Sequence, residues 1–525
     1  MMNYTAFTTE FASKRLAPIL AVIFIAKIAL HCMFQYDVWD GLLLDYAFST
    51  NNYSGSDIFF RESGWITQKY LFEATTALAN FLSAPHFLLS DILAEAAIFF
   101  SSLTIASIAR EQGVHPFVGL SLAVLYSLSP PLMSATSSIM LFHVVTALLI
   151  MLCVRIYITE LKYRLCYITP LMILASGYHA WIVLLPVYLV LIDASKAQPN
   201  HGGWIVDLFR QINASRYQYV ILATVSIFCL VIYRMTYPPH GLYEGYNQII
   251  LDQKNLIYIT AHSLRNVSNL WLVILACLIL RMTRRRELGY ALTGGLLSVI
   301  LFGLAGKSFA LTPSFDFGDR QGIPLLVFIC AVMPVLTTNK DKQTNTVNTQ
   351  IFVISSASLL LLACIYLVNI ISLEMRETFM RDLASEISDH QDLVTDAAIN
   401  DLIIPNQPWG QIITGQELNP VINSKLNSQR LWFESGTTAF HKPTNLYFPT
   451  KTLILDAYRT HYGAPRSTVT LTNNDSRNCV YVDHIGYDLQ GFLRLQLARL
   501  SGQRVQRTIR LHKTPCANNY LPAKL

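Results

Sequence analysis

Apolar runs long enough to cross a bilayer recur along this chain, and they limit its fold more than any other feature. They lie near residues 16–34, 87–109, 115–130, 138–158, 165–177, 180–193, 217–236, 266–282, 288–306, 322–337 and 351–373. A hydrocarbon core about 30 Å thick takes roughly 20 apolar residues per helix, and backbone polar groups in lipid must be satisfied inside the segment. The expected fold is a polytopic α-helical membrane protein of about 11 spans. Composition agrees: 53% of the 525 residues are hydrophobic and only 14% are charged, against about 25% charged in soluble domains. The net charge of +6 sits largely in short loops, where it sets topology, and it does not suggest a nucleic-acid partner.

Basic residues orient the spans. Lys14, Arg15, Arg110, Arg155, Lys162, Arg164, Lys196, Arg210, Arg216, Arg281, Arg284, Arg285, Arg286, Lys340 and Lys342 all fall in loops of one side, expected to be cytoplasmic. No small-residue cleavage site follows the first apolar run, so that span is expected to stay. The stretch Cys166–Asp193 would be about 42 Å long as one helix. Its flanks, Arg164 and Lys196, both favour the cytoplasm, so two short spans meeting at Gly177-Tyr178-His179 are expected, with Pro170 and Pro186 breaking the helix interior.

This map puts the N-terminus inside and the C-terminus outside. It divides the chain into a transmembrane part, 1–374, with an outer first loop at 35–86, and a soluble C-terminal domain, 375–525. The tail opens with the helical pattern EMRETFMRDLASEISDHQDL and closes with the strand-like runs STVTLTN, NCVYVDH, FLRLQLARL and RVQRTIRLH, so an extracytoplasmic α+β domain is expected. Seven of the nine cysteines lie in apolar runs. Cys479 and Cys516 lie in polar sequence of the tail, where an oxidising compartment predicts a disulfide between them.

The acids gather in the outer loops. In QYDVWDGLLLDYAF, residues 35–48, Trp39, Leu42, Leu43 and Tyr46 form one helical stripe, with Asp37, Asp40 and Asp45 opposite. Two readings fit: a helix lying flat on the membrane, acids upward, or a solvated acidic face at a helix start, where Asp favours the dipole. A later outer loop holds Lys307, Asp316, Asp319 and Arg320. Within the spans, His31 and His143 are expected to satisfy packed polar contacts. Asp91, after Ser90, reads as a helix cap, and His179 as a bend residue or a site residue. An enzyme at the outer face suits this distribution better than a conduit, which places charge near the midplane.

The layout resembles the GT-C superfamily of polyprenyl-phosphate-sugar-dependent glycosyltransferases. Three features carry the resemblance: the acidic YDVWDG after the first span, the polar bend in ASGYHAWIVLLP, and the outer loop running into DRQGIPLLVFICAVMP, similar to an Arg-x-x-x-Pro span entry. It departs from the pattern in lacking an adjacent Asp-Asp or Asp-Glu pair; Asp37 and Asp40 are three apart. The resemblance implies an inverting glycosyltransferase of the bacterial inner membrane, with its C-terminal domain in the periplasm. It would move a sugar from a polyprenyl-phosphate donor to an envelope glycan or lipid acceptor. Asp37 or Asp40 would be the base that takes the acceptor proton. Arg320 and Lys307 would meet the leaving phosphate, with Asp45, His179, Asp316 and Asp319 lining the substrate site. The sequence names no cofactor, and a divalent metal between Asp37 and Asp40 is compatible with carboxylate chemistry. The competing expectations are an O-antigen polymerase or ligase, and a lipid-linked oligosaccharide flippase, which would need a polar or cationic central cavity.

Overall fold

The computed structural model describes residues 4–33, 64–136, 140–159, 163–178, 180–196, 203–238, 285–304, 322–337, 349–394, 399–404, 432–435, 477–502 and 507–515, with isolated positions between them. The helices are α1 (Tyr4–Met33), α2 (Ile66–Leu82), α3 (His86–Glu111), α4 (Pro116–Ser127), α5 (Leu141–Ile158), α6 (Arg164–Tyr178), α7 (Leu184–Lys196), α8 (Gly203–Ala214), α9 (Arg216–Thr236), α10 (Arg285–Leu304), α11 (Ile323–Leu336), α12 (Thr349–Asp389) and α13 (Leu489–Leu500). Among the described residues there are four strands, in the same order: β1 (Ile399–Ile403), β2 (Trp432–Ser435), β3 (Arg477–Ile485) and β4 (Thr508–Thr514). The chain forms two compact units.

Among the described residues, five helices are long and apolar enough to cross a membrane: Leu16–Met33 of α1, α3, α5, α9 and Ser355–Asp389 within α12. α4 and α11 are shorter apolar helices. The expected span at 266–282 lies almost wholly outside the described residues. Large apolar side chains such as Val22, Ile25, Phe228 and Leu360 are exposed on these helices. A folded chain tolerates that where lipid is the solvent.

The first unit comprises 1–33, 88–236 and 247–367. At one end of its helices the ring of Tyr157 gathers several others. Its hydroxyl donates to Asp193 at the end of α7, and Tyr219 of α9 donates to the same carboxylate at 2.6 Å. The Arg164 guanidinium, at the start of α6, lies 3.9 Å over the Tyr157 ring. Arg164 and Asp193 therefore meet the same residue although α6 and α7 separate them, so the chain reverses between them. The break falls at the expected place: α6 stops at Tyr178, and a 3-10 turn, Ala180–Val183, leads into α7. Proline is not the cause. Pro170 lies inside an uninterrupted α6, and Pro186 sits in the first turn of α7, where its missing N–H costs little. Arg155 and Glu111 (3.2 Å), and Arg286 with the Ala194 carbonyl (3.0 Å), bring the end of α3 and the start of α10 to this level.

α11 contains a π-helical turn, Phe328–Val332. Pro334 follows it and has no N–H to give to the preceding turn, which favours a widened register there. The Phe328 ring packs against Tyr188 with centroids 5.5 Å apart, and the Tyr188 hydroxyl donates to the Pro324 carbonyl at 3.1 Å.

The second unit comprises 34–87, 237–246 and 368–525. Its sheet has the order β2-β1-β3-β4, with β1 parallel to both β2 and β3, and β4 antiparallel to β3. The distal part of α12 covers it: Phe379, Met380, Leu383 and Ile387 pack with Leu402, Val480, Val482 and Ile509. NCVYVDH lies in β3, and RVQRTIRLH reaches β4, as expected. FLRLQLARL does not form a strand; it lies in α13. Its apolar residues alternate, but Leu, Arg, Gln and Ala favour helix and no residue is β-branched. Gly491, Phe492 and Ala498 are buried and Leu495 is half-buried, a stripe at i, i+1, i+4 and i+7. STVTLTN lies outside the described residues.

Candidate functional site

Four ionisable side chains are buried together among the apolar helices of the first unit. Lys27 and His31 are four residues apart on α1; Asp91 and Glu95 are four apart on α3. On a helix this spacing stacks two side chains on one face. Two such faces therefore meet as a ladder. Lys27 Nζ lies 2.6 Å from Glu95 Oε2. Glu95 Oε1 lies 3.2 Å from His31 Nε2, and His31 Nδ1 lies 3.4 Å from Asp91 Oδ2. Glu95 thus bridges both cationic side chains, and the imidazole bridges both carboxylates. Lys27 also donates to the Ser127 carbonyl at the end of α4 (2.9 Å) and lies 5.2 Å from the centre of the Tyr366 ring.

Lys27 is 2% exposed and Glu95 1% exposed. Charges so far from water persist only when paired and hydrogen-bonded. With a second proton on His31 the ladder is neutral, two cations against two carboxylates. Beside it Leu20, Phe24, Phe99, Ser102 and Ser127 pack around Glu95 too closely to leave room for a water molecule. No protein-family model matches the chain, and no curated protein matches it.

The ladder corrects one sequence expectation. Asp91 is not an end cap: it sits past the first turn of α3, buried against His31. His31 does make packed polar contacts, but with carboxylates. His143 is buried edge-on to Trp181, with ring centroids 5.1 Å apart. The proposed base and substrate residues, Asp37, Asp40, Asp45, His179, Lys307, Asp316, Asp319 and Arg320, all lie outside the described residues, as does any metal between Asp37 and Asp40. Among the described residues no cluster of three or more His, Cys, Asp or Glu side chains could hold a metal ion.

The ladder was findable from sequence. Two basic side chains four apart in one apolar helix and two acids four apart in another are complementary only when the helices are considered as a pair. Its position follows from α3. Sixteen residues separate Glu95 from Glu111, about 24 Å of helix, so the ladder lies near the opposite end of α3 from the Tyr157 group. It also lies just before α1 leads into the acidic segment at 35–48.

Proposed function

We propose that the chain is an inverting membrane glycosyltransferase that takes its sugar from a polyprenyl phosphate on the outer side of the bacterial inner membrane. The observation supporting this most is the ladder itself. A buried strut ties α1 to α3 at the end of α1 that carries the acidic segment, away from the level rich in Arg155, Arg164 and Arg286. If basic loops mark the cytoplasm, the strut anchors the outer end of α1, and Asp37 and Asp40 follow His31 by six and nine residues in the sequence. A group that must reach an acceptor hydroxyl within hydrogen-bond distance needs such support. The disulfide-bonded Cys479 in the second unit is in keeping with an oxidising compartment for the tail.

The test uses full-length protein in proteoliposomes with radiolabelled polyprenyl-phosphate sugars. Asp37→Asn or Asp40→Asn should lower transfer about 100- to 10,000-fold while leaving insertion intact. Arg320→Ala should weaken donor binding, with Arg320→Lys restoring only part of it, since the bidentate geometry is lost. Parental transfer by Asp37→Asn, Asp40→Asn and Arg320→Ala alike would sink the reading. The second reading, a transporter, draws on the intramembrane charges. It would be favoured if Glu95→Gln abolished counterflow of a lipid-linked glycan while no sugar transfer could be measured in the parent.

A further inference from the structure

The amphipathic helix α8 is inside out. Ile205, Phe209 and Ile212 recur at i, i+4 and i+7 on one face and are exposed, Phe209 at 67%. The opposite face carries Asp207, which is 3% exposed and lies 3.2 Å from Arg286 Nε of α10. Trp204 packs flat against Gly289 of α10, where an added Cβ would come within 2.5 Å of its ring. A helix beside a water-filled surface turns its apolar stripe inward and its charges outward. Here the carboxylate of Asp207 is inward, tied to a neighbouring helix, and Ile205, Phe209 and Ile212 are exposed on the other side.

Three further facts identify what covers that face. α8 has 12 residues, about 18 Å, too short to cross a core of about 30 Å. Only Ser215 separates it from α9, a candidate membrane span whose Val220, Ile221 and Phe228 are exposed in the same manner. Arg210 flanks its apolar stripe and Arg216 opens the next helix, the arrangement of a helix lying in the headgroup boundary with basic side chains toward the headgroups.

We propose that α8 lies in the plane of the membrane, with Ile205, Phe209 and Ile212 in the acyl region of the leaflet on the side of the Tyr157 group. The Asp207–Arg286 pair holds it to α10 so that this face stays turned to lipid. This surface is independent of the glycosyl-transfer reading.

The experiment places the photoreactive p-benzoylphenylalanine at Phe209 in the full chain, reconstituted in nanodiscs of phosphatidylethanolamine and phosphatidylglycerol and, separately, in intact cells. Illumination should attach a phospholipid to the peptide containing position 209, seen as the mass of one lipid. The same group at Gln211, on the other side of the helix, should yield at least tenfold less lipid adduct. Ile205, one turn away, is the second labelling site should the first variant fail to insert. Cross-links at 209 and 205 to a second copy of the chain or to another protein, or equal lipid labelling at 211, would overturn the proposal.

Discussion

Lys27 Nζ lies 2.6 Å from Glu95 Oε2, although both side chains belong to helices apolar enough to cross a membrane. Removing one partner strands the other. Glu95→Gln should destabilise the protein by about 3–5 kcal/mol, because Lys27 is left buried beside a neutral amide. The double variant Glu95→Gln, Lys27→Met removes both charges at similar volume and should recover most of the loss. Thermal unfolding of detergent-purified protein decides this; a double variant no more stable than Glu95→Gln would mean the pair is not the strut described.

Two adjacent glycines of α10 make a matched test of packing. A Cβ on Gly294 would stand 2.3 Å from Phe328 Cζ and 2.8 Å from Leu191 Cδ1, whereas a Cβ on Gly295 meets nothing within 4 Å. Gly294→Ala should cost about 1–3 kcal/mol by overpacking. Gly295→Ala should gain about 0.5–1 kcal/mol from the stiffer helix backbone. Opposite shifts in melting temperature are the expected result; equal shifts would contradict the packing of α10 on α11.

In the second unit the Tyr487 hydroxyl donates to Asp382 Oδ2 at 2.6 Å. Burial first, then the Asp382 hydrogen bond and charge, raises the phenol's pKa. The unfolded phenol loses its proton near pH 10, so this contribution is complete below about pH 10 and is lost as pH rises toward the raised folded value. Tyr487→Phe should weaken the unit by about 1.5–3 kcal/mol at neutral pH and reduce the alkaline loss. Hydrogen exchange of β3 peptides in the full chain, at pH 7 and above 10, reads both effects. An unchanged alkaline profile in the variant would assign that loss to other groups.

Cys479 is disulfide-bonded, and its register partner on β4 is Thr514, two residues before Cys516. Cys516 itself lies outside the described residues. Cys479→Ser should cost the second unit about 2–5 kcal/mol. Limited proteolysis should cut the tail faster in this variant, and reductant should reproduce the effect in the parent. Equal resistance in both would remove the bond from the stability of the unit.

How far the sequence could be read depended on whether one segment carried its own signal. The apolar runs did, and so did the reversal between Arg164 and Lys196, because flanking charge and helix length each forced it. β3 was legible from Val480 and Val482 alternating with polar neighbours. α13 was not, since alternation in FLRLQLARL competed with helix-favouring residue types and the helix won. The ladder was missed because its meaning is shared between two segments: His31 alone is a packed histidine and Asp91 alone a cap. The acids of the first loop carried the functional argument, and they lie outside the described residues.

The order of strands in the sheet has a consequence for how the protein is made. β1 is synthesised first yet sits between β2 and β3, and among the described residues β4, the last of the four strands, closes β3. Parallel neighbours that are distant in sequence pair slowly. A growing chain therefore holds open hydrogen-bonding edges until β4 has been made, the interval in which strands find the wrong partner. A premature stop before Thr508 would leave β3 with a raw edge and make the product a seed for aggregation.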